Sequence, residues 1–403
     1  MFTFYIVVLF ALFAPYSFKS VSTNEVIPSD DWRKPPDSAE MIAQRGYPVE
    51  VHHVETEDGY ILKAFRIPFG KKSVGGKRPP VILQHGILCS SDCWTIMSPE
   101  KGLAYRLVDS GYDVWVTNNR GAPYGKNHTK LTPDDQEFWD YSVHELGYYD
   151  VPALIDYILK QTGYSKLTYI GHSQGTSQFF IMGSTRPEYN DKVNVMAALG
   201  PVAYLDHTHG LIKLLSSMSS FLAKLAKLFN MHEVLEHPLV FQLANKVLCG
   251  PYSVLRPLCN DVFFYITGFD SPQMNNTIGS EIGNYCPTGA TIKQLNHFAQ
   301  LTHNGKFTMF DYGTEENMVK YNSLYPPQYD LTKVKCPVVL YHGQNDYISS
   351  PPEVVRLSKV LPNLVKRDLV DYPKFNHLDF MWAIDINKLL NNDVLKTIKK
   401  FHG

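Results

Sequence analysis

The first half of the chain alternates between short apolar runs and amphipathic stretches. Residues 49–54 and 60–67 alternate apolar and polar side chains around the turn pair Asp58-Gly59, which predicts an antiparallel hairpin. Mainly apolar runs predict buried strands at 80–86, 112–117, 167–170 and 193–199. Helical spacing of apolar residues covers 102–110 and 143–162.

This alternation stops near residue 201 and resumes near residue 337. From about Val202 to Pro326 no run predicts a buried strand, and buried strands return at 337–342 and 365–370. Strands that alternate with helices predict a parallel sheet covered on both faces. We therefore expect an α/β-hydrolase fold with a mostly parallel central sheet. Its α/β core would be built from residues 33–201 and 327–403, with a mostly helical cap inserted at 202–326.

One face of an amphipathic helix is predicted near the start of this cap. Its apolar residues recur at steps of four and three, whereas lysines and a serine occupy the opposite side. Two interpretations remain open for the apolar face: a mobile cap that faces lipid, or a helix that packs on its own domain. The apolar residues are Leu211, Leu215, Met218, Leu222, Leu225 and Phe229.

A glycine-framed serine follows the predicted strand at 167–170 and precedes a helical stretch. The segment Gly171-His172-Ser173-Gln174-Gly175 has the spacing of a nucleophile elbow, in which a tight strand-to-helix turn raises a serine hydroxyl above the sheet. The following helix N-terminus offers free N–H groups that can hold an oxyanion. Ser173 is therefore the candidate nucleophile.

A serine nucleophile needs a base, and the base needs an orienting acid. In this fold the order along the chain is serine, then acid, then histidine, with acid and histidine in loops after late strands. Asp346 follows the strand at 337–342, and His377 follows the strand at 365–370. Asp379 is a competing acid, but it lies two residues from His377 and would have to fold back.

The tetrahedral intermediate of acyl transfer needs two N–H donors. Gln174 supplies one, because it follows the nucleophile at the helix N-terminus. Ile87 supplies the other, because Gly86 lets the chain turn so that the next amide points inward. The apolar residues of this turn suggest an acyl pocket, although they could equally belong to the core.

The N-terminus has the features of an exported protein. Phe4 to Ala14 is an apolar run of 11 residues, which suits a signal-peptide core and is too short to span a bilayer. We expect a signal peptide at 1–22, cleaved near Ser20 or Ser22; a buried N-terminal strand or helix is the alternative. Sequons that begin at Asn127 and Asn275 predict N-glycosylation.

Composition narrows the function further. The 403 residues are 44% hydrophobic and 19% charged, which is ordinary for a globular protein, and the net charge of −1 gives no basic field for nucleic acid. His232 and His237 superficially resemble a zinc-protease pair, but that motif needs its second histidine where Glu236 stands. Glycine motifs for phosphate or dinucleotides are absent from strand–helix junctions, so we expect neither a metal nor a cofactor.

Several sequence motifs together resemble the acid lipase family of gastric and lysosomal lipases, including their insect relatives. The resemblance spans nearly the whole mature chain and implies an α/β-hydrolase core, a cap with a lid, and hydrolysis of triacylglycerols or cholesteryl esters. It also implies catalytic roles for Ser173, Asp346 and His377, and oxyanion roles for the Gln174 and Ile87 amides. The matching segments are 46–48, 54–62, 83–86, 104–116, 171–175, 268–271, 325–327 and 375–380.

The six cysteines agree only partly with this resemblance. Cys249 and Cys259 bracket a short loop with glycine and proline, and the resemblance implies that they are bonded. The other four cysteines allow several pairings or none. Many relatives have a free cysteine where Thr267 stands, whereas Cys89 and Cys93 beside the oxyanion turn are unusual and could bond to each other.

We therefore expect a monomeric lipase that acts on lipid esters at a lipid–water interface by an acyl-enzyme mechanism. It would touch a membrane or lipid droplet only transiently and would be secreted, with the lysosome as the alternative. A short-chain carboxylesterase is one alternative function. The other is a non-catalytic hydrolase-fold protein that binds lipid or a partner protein, although such proteins usually lose a member of the triad.

Overall fold

The computed structural model describes residues 35–71, 76–228, 231–234, 264–274 and 276–402. Eleven strands are present in these ranges, and the bounds of the main ones agree with the predicted runs to within a few residues. They are β1 Glu50–Glu55, β2 Tyr60–Ile67, β3 Pro80–Gln84, β4 Asp113–Thr117, β5 Asn127–His128, β6 Leu167–His172, β7 Val193–Leu199, β8 Glu233–Val234, β9 Ala290–Thr291, β10 Val338–His342 and β11 Leu364–Leu369.

The main sheet has the order β1-β2-β4-β3-β6-β7-β10-β11, with β5 paired to β2 at its side. The predicted hairpin is confirmed, because β1 and β2 pair antiparallel with Glu50 opposite Arg66. β2 also pairs antiparallel with β4, and every pair from β4 to β11 is parallel. The mostly parallel sheet of the predicted α/β-hydrolase fold is therefore confirmed.

Helices cover both faces of this sheet. In chain order the α-helices are α1 Ser38–Gln44, α2 Asp92–Thr95, α3 Leu103–Asp109, α4 Val143–Glu145, α5 Val151–Thr162, α6 Gln174–Thr185, α7 Gly210–Ser217, α8 Ser219–Leu228, α9 Asn276–Ile282, α10 Ile292–Asn304, α11 Thr314–Tyr321, α12 Pro351–Val360, α13 Asp379–Trp382 and α14 Asn392–Lys399. The predicted helices at 102–110 and 143–162 correspond to α3 and to α4 with α5.

Two hydrophobic clusters form the core, one on each face of the sheet. Ile82 of β3 belongs to the cluster that includes Phe179 of α6, whereas its neighbours Val81 and Leu83 belong to the cluster that includes Val394 of α14. All five residues of β3 are buried, as expected for a central strand of a parallel sheet covered on both faces. This core fixes the carboxyl ends of the parallel strands at one edge of the sheet.

The predicted helix at 143–162 is interrupted by a π-helical turn at Leu146–Asp150. Pro152 lies in the first turn of α5 and has no N–H to donate to the preceding turn. Gly147 in the π turn packs against α6, and a Cβ there would lie 2.6 Å from the Cβ of Ile181. The missing donor and the tight contact explain a wider turn at this point, as in other π-bulges.

The single amphipathic helix predicted near 211–229 is two helices, α7 and α8, with the break at Met218. Just before the break, the hydroxyls of Ser216 and Ser217 donate to the carbonyl oxygens of Ile212 and Leu214. Such back-bonding competes with the backbone ladder and bends helices. The same part of the chain also contains a two-residue antiparallel pair, β8 with β9, that lies outside the main sheet.

Several predictions fall on residues outside the described ranges. These are the signal peptide at 1–22, the cysteines Cys249 and Cys259, and the second sequon residue Asn275. Asn127 of the first sequon is described and lies exposed in β5. No helix among the described residues is both long enough and apolar enough to cross a membrane.

Candidate active site

Ser173 occupies the turn between β6 and α6. Its backbone adopts φ 54° and ψ −122°, a region that residues with a side chain rarely enter. The Ser173 amide donates to the Leu199 carbonyl oxygen at 3.0 Å, so the turn is bound to the end of β7. A non-glycine residue in such a conformation costs about 1–3 kcal/mol and persists only where its surroundings impose it.

The two glycines of the motif are required by close backbone packing. A Cβ at Gly171 would lie 2.8 Å from the carbonyl of Gly175, and a Cβ at Gly175 would lie 2.5 Å from the carbonyl oxygen of Gln84. Strand β6, helix α6 and strand β3 therefore meet at distances that only glycine allows. The constraint on Gly171 is local to the motif, which is why the spacing predicts the turn, whereas the constraint on Gly175 comes from β3.

The loops after β10 and β11 bring Asp346 and His377 together. His377 Nδ1 lies 2.8 Å from Asp346 Oδ2, and both side chains are buried. The other carboxylate oxygen of Asp346 accepts from the amides of Ile348 at 2.9 Å and Ser349 at 2.8 Å. These bonds fix the carboxylate, and the carboxylate in turn fixes the imidazole with its Nε2 atom turned away from Asp346.

His377 also lies beside the serine turn. Its ring centroid is 4.9 Å from that of His172, the residue before Ser173, and a Cβ at Gly200 would lie 3.1 Å from His377 Nδ1. The buried Nε2 atom has no hydrogen-bond partner within the described part of the chain, so a bond to the Ser173 hydroxyl is not formed. Catalytic hydrogen bonds are often long before substrate binds, and an uncommitted Nε2 is what a general base requires.

The competing acid Asp379 is engaged elsewhere. Its carboxylate accepts from the Asn376 amide at 2.6 Å, and the His377 imidazole bonds to Asp346 instead. Burial and, after it, the nearby Asp270 charge raise the pKa of Asp379 to about 8. A carboxyl that is mostly neutral at pH 7 is poorly suited to stabilise an imidazolium ion.

Ile87 and Gln174, whose amides are the candidate oxyanion donors, line the same cavity as Ser173. Neither the Ile87 nor the Gln174 amide donates to a protein group among the described residues. Gly86 packs so closely on the serine turn that a Cβ there would lie 3.0 Å from the Cβ of Ser173. The Gln174 side chain accepts from Gln294 Nε2 at 2.5 Å, which ties the elbow to helix α10.

The cavity at Ser173 has a volume of about 200 Å³ and is lined mainly by apolar side chains. Ile87 and Leu88, the apolar residues of the turn after β3, form part of its wall. Helix α10 supplies one face of the lining; it begins after Thr291, whose side chain accepts from the Gln294 amide, and ends at the left-handed Gly305. The further lining residues are Val202, Leu205, Ile212, Ser216, Ser219, Val234, Ile292, Leu295, Asn296, Phe298, Ala299, Thr302 and Ile348.

His172 is a site residue that the sequence reasoning did not single out. Its Nε2–H donates to the backbone carbonyl oxygen of His377 at 3.0 Å and so supports the loop that carries the candidate base. Burial lowers the pKa of His172 to about 3, and the neighbouring His377 acts in the same direction. The ring therefore stays neutral over most of the acid range. Its place inside the elbow motif was the only signal available.

One group of potential metal ligands exists among the described residues, and it is formed by Asp206, His207 and Glu353. Glu353 Oε1 accepts from the His207 amide at 2.7 Å, and Asp206 lies 3.3 Å from an Arg356 nitrogen. Ordinary protein contacts thus already use these oxygens. The group takes no part in the arrangement around Ser173.

We expect His342, at the end of β10, to make the free energy of unfolding depend on pH. It is 1% exposed, and neither ring nitrogen has a partner within the described ranges. Burial and then the Arg367 charge lower its pKa to about 4. Between pH 6.5 and pH 4 only the unfolded chain binds this proton, so acid destabilises the fold through His342.

We therefore expect the stability advantage of His342→Leu over the wild type to grow by about 2 kcal/mol between pH 6.5 and pH 4.5. Urea unfolding of both proteins at the two pH values measures this change. All other titrating groups are shared, so the difference isolates residue 342. An unchanged difference between the two pH values would contradict the prediction.

Comparison with protein-family models gives two matches. Residues 79–384 match the model of the alpha/beta hydrolase fold, and residues 38–98 match a partial alpha/beta-hydrolase lipase region. The first match covers most of the chain and includes all three residues of the candidate triad. The second covers the opening hairpin and the oxyanion turn.

Curated relatives and solved structures agree with these matches. The chain is 40% identical to Lipase 1 of Drosophila melanogaster over 89% of its own length and 79% of that protein. It is 37% identical to human gastric triacylglycerol lipase over 90% of each chain. A monoglyceride lipase from Saccharomyces cerevisiae, solved with a substrate analog, has a TM-score of 0.54 at 17% identity and matches over 92% of this chain and 98% of its own. At that identity the likeness shows the fold alone.

Proposed function

This chain belongs to the acid lipase family of α/β hydrolases and is a carboxylic ester hydrolase, and from this premise we propose that it hydrolyses neutral-lipid esters through Ser173, His377 and Asp346. One observation carries the proposal. The bonded pair of His377 and Asp346 lies beside a serine in a strained elbow, at the wall of an apolar cavity.

Acylation begins when Ser173 Oγ attacks the carbonyl carbon of the ester while His377 Nε2 takes the hydroxyl proton. The carbonyl oxygen becomes an oxyanion, which the Ile87 and Gln174 amides hold. The intermediate then collapses, the alcohol leaves, and His377 returns the proton to the departing oxygen. The acyl group is now bonded to Ser173.

Deacylation repeats these steps with water as the nucleophile. His377 takes a proton from the water as it attacks the acyl carbon, and it returns the proton to Ser173 Oγ when the fatty acid leaves. Asp346 holds the imidazole in the tautomer that keeps Nε2 free, and its charge stabilises the imidazolium that forms in both halves. A neutral His172 adds no opposing charge at this point.

The cavity supports an acyl group of a neutral lipid as the natural substrate. An apolar wall stabilises an alkyl chain by about 0.8 kcal/mol for each buried methylene group. Human gastric triacylglycerol lipase is named for its action on triacylglycerols, and we extend that substrate class, with cholesteryl esters beside it, to this chain.

Exposed apolar residues on α7 and α8 support contact with a lipid surface. Leu214 on α7 is exposed by 44%. Phe221 and Leu228 are exposed by 62% and 77% and stand seven residues apart on α8, close to two turns of helix. We propose that residues 202–326 form a cap that meets the lipid interface here, transiently and as part of a monomer. We propose that the protein is secreted, with the lysosome as the alternative.

The test of the proposed function compares two substrates for the wild-type protein between pH 4 and pH 8. Emulsified trioleoylglycerol is expected to release fatty acid at a rate that rises with the area of the oil–water interface. A fluorophosphonate is expected to label the protein once, at Ser173. Dissolved p-nitrophenyl butyrate provides the comparison without an interface.

Two other outcomes would replace the proposal. A preference for the dissolved short ester without an increase at the interface would identify a short-chain carboxylesterase. A folded protein that neither hydrolyses esters nor reacts with the fluorophosphonate would be a lipid-binding member of the fold.

A further inference from the structure

Besides Ser173 in the elbow, a second residue with a strained backbone lies near the site, in residues 85–89, which we call the oxyanion loop. Leu88 has a φ of 58°, and left-handed backbone is unfavourable for a branched hydrophobic side chain. Such a conformation persists only where the surrounding structure imposes it. Leu88 directly follows Ile87, whose amide is the proposed oxyanion donor, so whatever holds Leu88 also sets the direction of that amide.

Three contacts hold the C-terminal side of this loop, and all come from residues 286–288. Cys89 forms a disulfide with Cys286, across a sequence separation of 197 residues. The Thr288 amide donates to the Leu88 carbonyl oxygen at 2.7 Å, and the Thr288 hydroxyl donates to the Cys89 carbonyl oxygen at 3.2 Å. The predicted cap is thus covalently tied to the loop that carries an oxyanion amide.

The N-terminal side of the loop is held by His85. Its Nε2 accepts from the Asn119 amide at 3.2 Å, so the proton is on Nδ1, which donates to the Gly86 carbonyl oxygen at 2.7 Å. Burial lowers the pKa of His85 to about 4 and keeps this neutral tautomer. In a trans peptide the N–H of Ile87 points opposite to the Gly86 carbonyl, and therefore away from the His85 ring.

We infer that the Cys89–Cys286 disulfide is a positioning element for catalysis: it clamps the strained oxyanion loop so that the Ile87 amide meets the developing oxyanion. This inference rests on the proposed function, because it assigns a task to the proposed oxyanion hole. Cys89 and Cys286 touch no reacting atom. They act through Leu88 and Ile87, whereas Cys93 and Cys336 are buried free thiols.

A clamp of this kind affects the transition state more than the bound ester. Loss of one oxyanion donor lowers kcat about 100- to 1000-fold, and a loosened donor should lose part of that amount. For the variant Cys89→Ser/Cys286→Ser we expect kcat on dissolved p-nitrophenyl butyrate to fall roughly 10- to 100-fold, with KM within about threefold of the wild type. A boronic acid that forms a tetrahedral adduct with serine should bind more weakly by a similar factor.

Cys336→Ser is the matched control. It replaces a cysteine that is buried like Cys286 and makes no disulfide, so it reports the effect of a buried serine and of lower stability on kcat. We expect its melting temperature to fall while kcat and the boronic acid affinity stay within about twofold of the wild type, because surface and core changes away from the site leave transition-state contacts intact.

The variant Leu88→Asn tests whether the disulfide acts by holding the strained Leu88 backbone or only by stabilising the fold. Asparagine enters the left-handed region more readily than leucine, so the conformation needs less support. The loss of kcat on removing the disulfide should therefore be at least about threefold smaller in the Leu88→Asn background than in the wild type. An equal or larger loss would overturn the role assigned to Leu88.

A disulfide-free protein with an unchanged kcat and an unchanged boronic acid affinity would overturn the inference, whatever its melting temperature. Failure of the underlying function has a different signature: wild-type protein without esterase activity, or with activity that survives Ser173→Ala. If the double serine variant does not fold, Cys286→Ala and Cys89→Ala made singly with the same measurements decide the question.

Discussion

Ser173→Ala is expected to lower kcat by roughly a million-fold, the magnitude seen when a serine hydrolase loses its nucleophile. The substitution removes the only atom that can form the acyl-enzyme, whereas His377, Asp346 and the oxyanion amides stay in place. Those groups still bind the ester and polarise its carbonyl, so a residual rate of about a thousandfold or more over water should remain. Single-turnover hydrolysis of p-nitrophenyl butyrate measures both quantities.

The matched control for this variant is Ser184→Ala, at the other end of the same helix. Ser184 is buried and donates to the Ile181 carbonyl oxygen at 3.0 Å, so its loss perturbs α6 without touching the elbow. It should retain kcat and react with a fluorophosphonate like the wild type. Full activity of Ser173→Ala would refute the nucleophile assignment.

His377→Gln is expected to lower kcat by a similar factor, also about a million-fold. Glutamine cannot accept a proton near neutral pH, so the Ser173 hydroxyl would have to attack without a base. Because the two residues act as one unit, Ser173→Ala/His377→Gln should be no slower than either single variant. Strictly multiplicative losses in the double variant would show that they act independently.

The two acids near His377 provide the control. Asp346→Asn removes the charge that bonds to Nδ1 and should cost about ten-thousandfold in kcat. Asp379→Asn should cost only a few-fold, because burial raises the pKa of Asp379 to about 8 and the carboxyl is already mostly neutral at pH 7. The reverse ranking would assign the orienting role to Asp379.

Much of the fold could be predicted because the relevant patterns are local. β2 spans Tyr60–Ile67 and β7 spans Val193–Leu199, as predicted. β2 was marked by the alternation of an antiparallel hairpin, and β7 by the mainly apolar composition of a buried parallel strand. The interruptions of helices were not predicted. The one at Leu146–Asp150 depends on a close contact with α6, and the one at Met218 depends on serine hydroxyls that bond to backbone carbonyls. The spacing of apolar residues along the chain encodes neither.

The site shows the same division between what the sequence predicts and what it does not: the catalytic residues could be predicted, and the residues that support them could not. Ser173, Asp346 and His377 were proposed from their order along the chain and from strands that end at one edge of the sheet. In the structure, His377 Nδ1 lies 2.8 Å from Asp346 Oδ2. The support given by His172 to the His377 carbonyl had no sequence signal beyond the motif. The low pKa values of His85 and His172 follow from burial, which is a property of the packed molecule.

The sequence by itself determined the elbow. Glycines at 171 and 175 and the residues beside them specify a tight turn that joins a strand to a helix and places a serine between them. It left the pairing of Cys89 open, and only the tertiary structure joined it to Cys286, 197 residues away. The physical reason is the distance along the chain between the residues that interact. A turn is set by neighbours along the chain, whereas a contact across such a separation depends on how the sheet and the residues inserted after β7 pack together.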